Sequence, residues 1–283
     1  MNAGMMTGDQ GQTNESAGSS SPVIAIPGTT ITRQVFWLAG PVFIEQSLLY
    51  LVGLSDTLLA GRYLQAEHLA GVTVASYLLW FLGALLTIGS IGGTALVARS
   101  IGAGRTDEAV RFCGQAFALG LGLGFVAFFL VQVLSPLIVA AMSLSGLAAQ
   151  SAVRFLRIVG AVMPLLACTT VGNACLRGAG DTRTGMRVMI LMNIVNITMT
   201  WTLGVGWGPI PGLGLSGIAL GTACGEGIGG PLILALLIRG RSGLRLTWRN
   251  LWPAWDCILR LLRVSLPATG ERLTNVVCQQ KVR

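Results

Sequence analysis

The stretch "GPVFIEQSLLYLVGLSDTLLAGR", residues 40–62, reads as one apolar helix that carries two acids, Glu45 and Asp56. About 20 mainly apolar residues suffice for a helix to cross the hydrocarbon core of a bilayer. The rest of the chain repeats the pattern. Of its 283 residues 53% are hydrophobic and only 11% are charged. A soluble domain carries about 25% charged residues, so this chain has too little charge to cover a water-facing surface. The expectation is an all-α membrane protein.

Apolar blocks lie at about 34–60, 69–98, 112–141, 155–176, 186–207 and 213–238, and a seventh begins near Ile258. Residues 1–30 are rich in Gly, Ser, Thr, Gln and Asn, which predicts a disordered polar tail. The predicted organisation is that tail, a six-helix lobe over 31–240, a linker over 241–257, and the start of a second lobe over 258–283. Gly120 and Gly124, and Gly217, Gly221 and Gly225, recur every four residues, a spacing that lets helix backbones approach closely in lipid.

The formal net charge is +8, almost all of the positive side being arginine. These arginines cluster between apolar blocks, so they read as topology signals and not as a nucleic-acid surface. Arg99, Arg105 and Arg111 lie between blocks two and three; Arg177, Arg183 and Arg187 between four and five; Arg239, Arg241, Arg245 and Arg249 after six. The alternate connections are poorer, with Arg154 and Arg157 as a mild exception. The rich set is expected in the cytoplasm, together with the N-terminus. The six cysteines form no C-x-x-C pair and His68 is the single histidine, so neither a metal site nor a catalytic centre is expected.

Acids inside membrane helices usually face a cavity or an ion path. Glu45 and Asp56 are 11 residues apart, three turns plus about 20°, so they share one helix face at depths roughly 16 Å apart. Gln46 widens that stripe, and Pro41 removes a backbone hydrogen bond one turn earlier and permits a bend. Block five carries Asn193, Asn196 and Thr200 on one face; block six carries Thr222 and the acid Glu226 one turn apart. The plainer alternatives are interhelical hydrogen bonding for the amides and hydroxyls, an arginine partner for Glu45, and a helix-end position for Asp56. Pro41 and Glu45 recur as Pro267 and Glu271 ("LAGPVFIEQ" against "VSLPATGER"), where a six-plus-six duplication would place them.

Four segments resemble the MATE (multidrug and toxic compound extrusion) family. "LVGLSDTLLAGR" (51–62) is similar to the end of its first helix, and "ALVARSIGAGRTDEA" (95–109) to its second-to-third helix loop. "LRGAGDTRTG" (176–185) resembles its fourth-to-fifth helix loop, and "GLGLSGIALGTA" (212–223) the start of its sixth helix. In the loops, Thr106 is read as the cap of the third helix, with Asp107 and Glu108 in its first turn. Asp181 is read as the cap of the fifth. Gly178 and Gly180 allow the tight turn, and Arg177 and Arg183 hold it at the membrane face.

The resemblance implies the six-helix N-terminal lobe of a twelve-helix, two-lobe antiporter with an incomplete seventh helix. It implies a monomer in the inner cell membrane that exports amphipathic or cationic compounds against protons or sodium ions. Asp56 matches the family's coupling acid; Glu45, Glu226 and Glu271 are the further acidic candidates. Asn196 and Thr222 match polar positions of an N-lobe cation site in one branch, which has another acid where this chain has Thr200. No cofactor beyond the coupling ion is expected. A second lobe would need about 170–200 more residues, so the chain is expected to be truncated. The alternatives are a lipid-linked oligosaccharide flippase of the same superfamily, or a non-transporting membrane subunit.

Overall fold

The computed structural model describes residues 31–63, 66–207 and 211–281, with side chains over 39–63, 68–207 and 211–270. The polar tail lies outside the described residues. The described chain is all-α. Its helices are α1 (Ile31–Tyr63), α2 (Ala66–Gly102), α3 (Thr106–Ala141), α4 (Gly146–Ala161), α5 (Met163–Gly178), α6 (Thr182–Val205) and α7 (Leu215–Ile238). A 3-10 turn (Arg241–Gly243), the short α8 (Trp248–Leu251) and α9 (Trp255–Lys281) follow.

α1, α2, α3, α6 and α7 are each long and apolar enough to cross a membrane. The fourth apolar block is not one straight rod. It begins earlier than its apolar run suggests, at Gly146, and bends by 51° between α4 and α5. Pro164 explains the break: it has no N–H to continue the helix to the Gly160 carbonyl, and it sits in the first turn of α5, where that N–H is not needed. Pro41, by contrast, sits inside an unbroken α1.

The small-residue stripes bring backbones together. Gly217 packs on the carbonyl of Leu203, Gly221 on Thr200, and Gly225 on Asn196, so α7 lies flush against α6. Gly120 and Gly124 seat Val171 and Ala167 of α5 in the same manner. A β-carbon at these positions would overlap the facing helix, which is why they are glycine. Two apolar clusters result. One gathers Leu59, Leu86, Leu156, Met163 and Ile218; the other gathers Val97, Phe112, Phe117, Leu176, Ile233 and Leu261. Large apolar side chains also face outward, among them Phe43, Tyr50, Phe129, Val133 and Leu137, as a lipid-facing surface requires.

The start of α3 differs from the sequence expectation. Arg105 is the residue before the helix and Thr106 is already its first residue; no side chain caps the end. Gly104, at φ +72°, turns the chain and lets Arg105 N–H donate to the Ser100 carbonyl at 2.9 Å, so the turn is held by backbone. Arg105 also pairs with Glu108 at 3.0 Å.

Between α7 and α9 the chain is tied to α3 by one side chain. Gln115 Nε2 donates to the carbonyls of Asn250 (2.8 Å) and Trp252 (2.7 Å), and Gln115 Oε1 accepts from Ala254 N–H (2.8 Å). Gly114 beside it packs on the Asn250 backbone. α9 then lies on α2, with Leu261 and Ser265 against Gly92.

Candidate functional site

A cavity of about 540 Å3 opens between α1, α2, α5, α6 and α7. α1 contributes Glu45 and Gln46; α5 contributes Thr169, Asn173 and Arg177; α7 contributes Glu226. Thr87, Ser90 and Thr94 of α2 add hydroxyls, and Met189 and Met192 of α6 add apolar wall. Of the candidates named from sequence, the cavity brings together Glu45, Gln46, Glu226 and Arg177.

The two acids in it are not equivalent. Glu45 is only 5% exposed, and its Oε1 accepts from Arg177 Nη1 at 2.7 Å and from Asn173 Nδ2 at 2.9 Å. Its charge is therefore balanced. Glu226 is 9% exposed and its Oε2 accepts from Thr169 Oγ1 at 2.9 Å. No cation pairs with it among the described residues. Arg177 was expected to secure the α5–α6 turn; instead its side chain folds back along α5 into the cavity. The strongest nearby anion, Glu45, is on that side, and its pairing is worth more where water is scarce.

Asp56 lies just over three turns beyond Glu45 along α1, outside the cavity lining. Next to it Ser55 Oγ accepts from Trp201 Nε1 at 2.9 Å, and Leu59 packs on Gly204, so α1 and α6 run side by side in the same direction. Asp56 Oδ1 is buried without a hydrogen-bond partner, and so are Asn193 Nδ2, Asn196 Oδ1 and Thr200 Oγ1 on α6. Thr222 Oγ1 donates to the Ile218 carbonyl at 3.4 Å, a long bond. Asn196 and Thr200 face the glycines of α7. The polar stripe of α6 thus runs from the cavity level at Met192 to the level of Asp56. Glu271 belongs to the last part of α9, whose side chains lie outside the described residues.

The α5–α6 turn is a joint. Gly178 packs so closely on the Thr94 carbonyl that a β-carbon there would overlap it, and Gly180 has φ +84°. Asp181 caps α6: Oδ1 accepts from Thr184 N–H (3.0 Å), while Oδ2 accepts from Thr184 Oγ1 (2.7 Å) and Arg241 Nε (3.3 Å). Ser242 Oγ donates to the same Oδ2. Partial burial raises the Asp181 pKa, but the bonds from Ser242, Thr184 and Arg241 outweigh it, and the carboxyl ends below its ordinary 3.8. Arg183 lines the loop recess with Asp181 and Arg241.

Among the cavity residues that escaped the sequence reading are Thr169 and Asn173, the hydrogen-bond partners of the two acids. With Arg177 they fall at i, i+4 and i+8, one stripe on α5. That stripe was legible, but the cysteines and small residues around it mask the periodicity.

The MatE family model matches residues 41–202, more than half of the chain. A probable multidrug resistance protein NorM of Thermotoga maritima is 29% identical over 241 residues, covering 85% of this chain and 52% of that protein. An uncharacterized transporter of Bacillus subtilis, YisQ, is 28% identical, covering 89% of this chain and 55% of its own length. Among solved structures, a crystal structure of MATE in the bent conformation superposes with a TM-score of 0.78 at 24% identity, over 88% of this chain and 55% of that one. The chain spans about half the length of the curated relatives it matches. The membrane helices, the fold and the family match agree, and the chain belongs to the MatE family.

Proposed function

We propose that this chain is the N-terminal lobe of a secondary antiporter that exports amphipathic or cationic compounds in exchange for protons or sodium ions. The observation that carries the reading is Asp56, a membrane-embedded carboxylate with a buried oxygen that no described group satisfies. Such an acid is costly and is kept where it binds something that comes and goes. Asn196 and Thr200 of α6 and Thr222 of α7 are the neutral oxygens assigned to the same site in this reading, a donor set that accepts a small hard cation as well as a proton. The relatives named as multidrug resistance proteins support the substrate class.

In this reading, neutralising Asp56 with a proton or a sodium ion changes the contact of α1 with α6. Pro41 supplies the place where α1 can bend in response. Glu45 and Glu226 line the cavity where an amphipathic cation is held, with Met189 and Met192 as its apolar wall. The lobe moves its substrate without covalent chemistry and works as half of a monomeric two-lobe transporter in the cell membrane. The arginine-rich connections put the N-terminus in the cytoplasm.

The test is Asp56→Asn in a protein carrying both lobes. Drug efflux driven by an imposed ion gradient is expected to fall at least tenfold, with membrane insertion intact. Efflux at the wild-type rate would refute the assignment.

A further inference from the structure

The groove between α3 and α4 has no part in the proposed transport path. It is a recess of about 530 Å3 near the end of the bundle where α3 passes into α4. Pro136, Val139 and Ala140 wall one side, Val153 and Ile158 the other. Arg154 and Arg157 line it as well. They are three residues apart on α4, so both emerge on the same helix face.

Both arginines are exposed, and neither meets a carboxylate among the described residues. Arg105, Arg177 and Arg241 each do. Gln132 Nε2 donates to the Arg157 carbonyl at 2.8 Å and locks α4 to α3 at this height. Arg154 and Arg157 lie roughly 12 and 16 Å along α4 from its start. α3 is about 54 Å long against a hydrocarbon core of about 30 Å, so a centred α3 carries residues 136–140 at headgroup level and Gln132, bonded to Arg157, just inside the border with the hydrocarbon. An unpaired guanidinium at that border either snorkels to water or finds an anion.

We propose that Arg154 and Arg157 bind the phosphate of an anionic phospholipid whose acyl chain lies in the α3–α4 groove. The guanidinium fork matches phosphate oxygens two at a time. The apolar walls match a hydrocarbon chain entering from the same side. Two cations against one phosphate favour a headgroup without its own ammonium. With the arginine-rich connections in the cytoplasm, the site faces the outer leaflet. The two arginines that depart from the charge bias of the connections thereby have a role.

The test is native mass spectrometry of the purified chain, delipidated in detergent and titrated with phosphatidylglycerol, phosphatidylcholine or diacylglycerol of matched chains. Phosphatidylglycerol is expected to bind about tenfold more tightly than the other two. The Arg154→Gln/Arg157→Gln double variant is expected to lose that preference, and Arg154→Lys/Arg157→Lys to keep part of it. Val153→Trp fills the groove with both arginines intact and is expected to weaken the lipid adduct, which keeps the test open should the glutamine variant not fold. Equal binding of phosphatidylglycerol and diacylglycerol, or an unchanged preference in the glutamine variant, would overturn the headgroup site. Equal binding of phosphatidylcholine would overturn its anionic selectivity. Full displacement by millimolar inorganic phosphate would mark a free-anion site and overturn the lipid.

Discussion

Two regions of this bundle treat buried polar groups in opposite ways. Where α3 and the α5–α6 turn meet the α7–α9 linker, Gln115 and Asp181 are engaged through both of their polar side-chain atoms. Gln115 makes three bonds to the linker backbone, and Asp181 joins α6 to the 3-10 turn after α7. On the neighbouring helices α1 and α6, Asp56, Asn193, Asn196 and Thr200 each keep a buried atom with no partner among the described residues, Asn196 and Thr200 lying against the glycines of α7. Native proteins pair most such atoms, so three exceptions on one stripe of α6, with a fourth on α1 beside it, mark a site and not a joint. The first region uses polarity to hold the fold; the second holds polarity ready at a cost in stability.

The largest effect is expected at the joint. Gln115→Leu leaves two carbonyls and one N–H of the linker unpaired and part-buried. Each is worth about 1 kcal/mol or more, so a total loss of about 3 kcal/mol is expected. Thermal unfolding in detergent and limited proteolysis across 240–255 measure it. A variant as stable and as protease-resistant as the parent would break the contrast.

The cavity supplies a comparison within one site. Glu45→Gln leaves Arg177 with no anion and is expected to destabilise by about 1–2 kcal/mol, discounted because Arg177 is 27% exposed. Glu226→Gln removes a charge that no cation balances and is expected to leave stability unchanged or raise it. The pair of unfolding curves tests the assignment: equal losses would mean that Glu226 is as firmly partnered as Glu45.

Asp181→Asn keeps the cap acceptor but loses the charge and the oxygen that takes bonds from Thr184, Ser242 and Arg241, and should cost about 1 kcal/mol. Its pH dependence has a definite sign. The folded pKa lies below the ordinary 3.8, so the carboxylate stabilises the fold fully above that value. The contribution disappears as pH falls through the lower, folded value. Wild type and variant should therefore differ at pH 6 and converge only below pH 3.8, in unfolding curves taken across that range. A gap that closed near pH 6 would point to another group.

These contrasts also show what the amino-acid sequence carries and what it does not. The membrane helices and the glycine stripes of α3 and α7 were legible because each is a local pattern along one helix. The 51° break in the fourth block was obscured because its apolar run starts only at Phe155, which hid the polar first turns of α4. The Glu45–Arg177 pair spans 132 residues, and the bonds of Gln115 span 135 to 139. No local spacing announces a partner at that distance. Candidate acids could be found as misfits in apolar helices; which of them is already neutralised could not.

The smallest effect is expected at Thr200, and it separates the two roles of buried polarity most cleanly. Thr57, Thr73 and Thr202 turn their hydroxyls back to the carbonyl four residues earlier. Thr200 does not, although it is 0% exposed and pressed against Gly221. Valine has the same shape without the oxygen, so the packing survives and an unpaired polar atom is removed. Thr200→Val should therefore change stability by no more than about 0.5 kcal/mol, with gain the expected sign. If Thr200 serves only packing, ion-coupled efflux by the two-lobe protein should follow stability and stay unchanged. If its oxygen belongs to the Asp56 site, the sodium or proton dependence of efflux should shift severalfold while the unfolding temperature holds. A loss of stability of 2 kcal/mol or more would mean that Thr200 belongs to the joint after all, and would erase the distinction between the two regions at that residue.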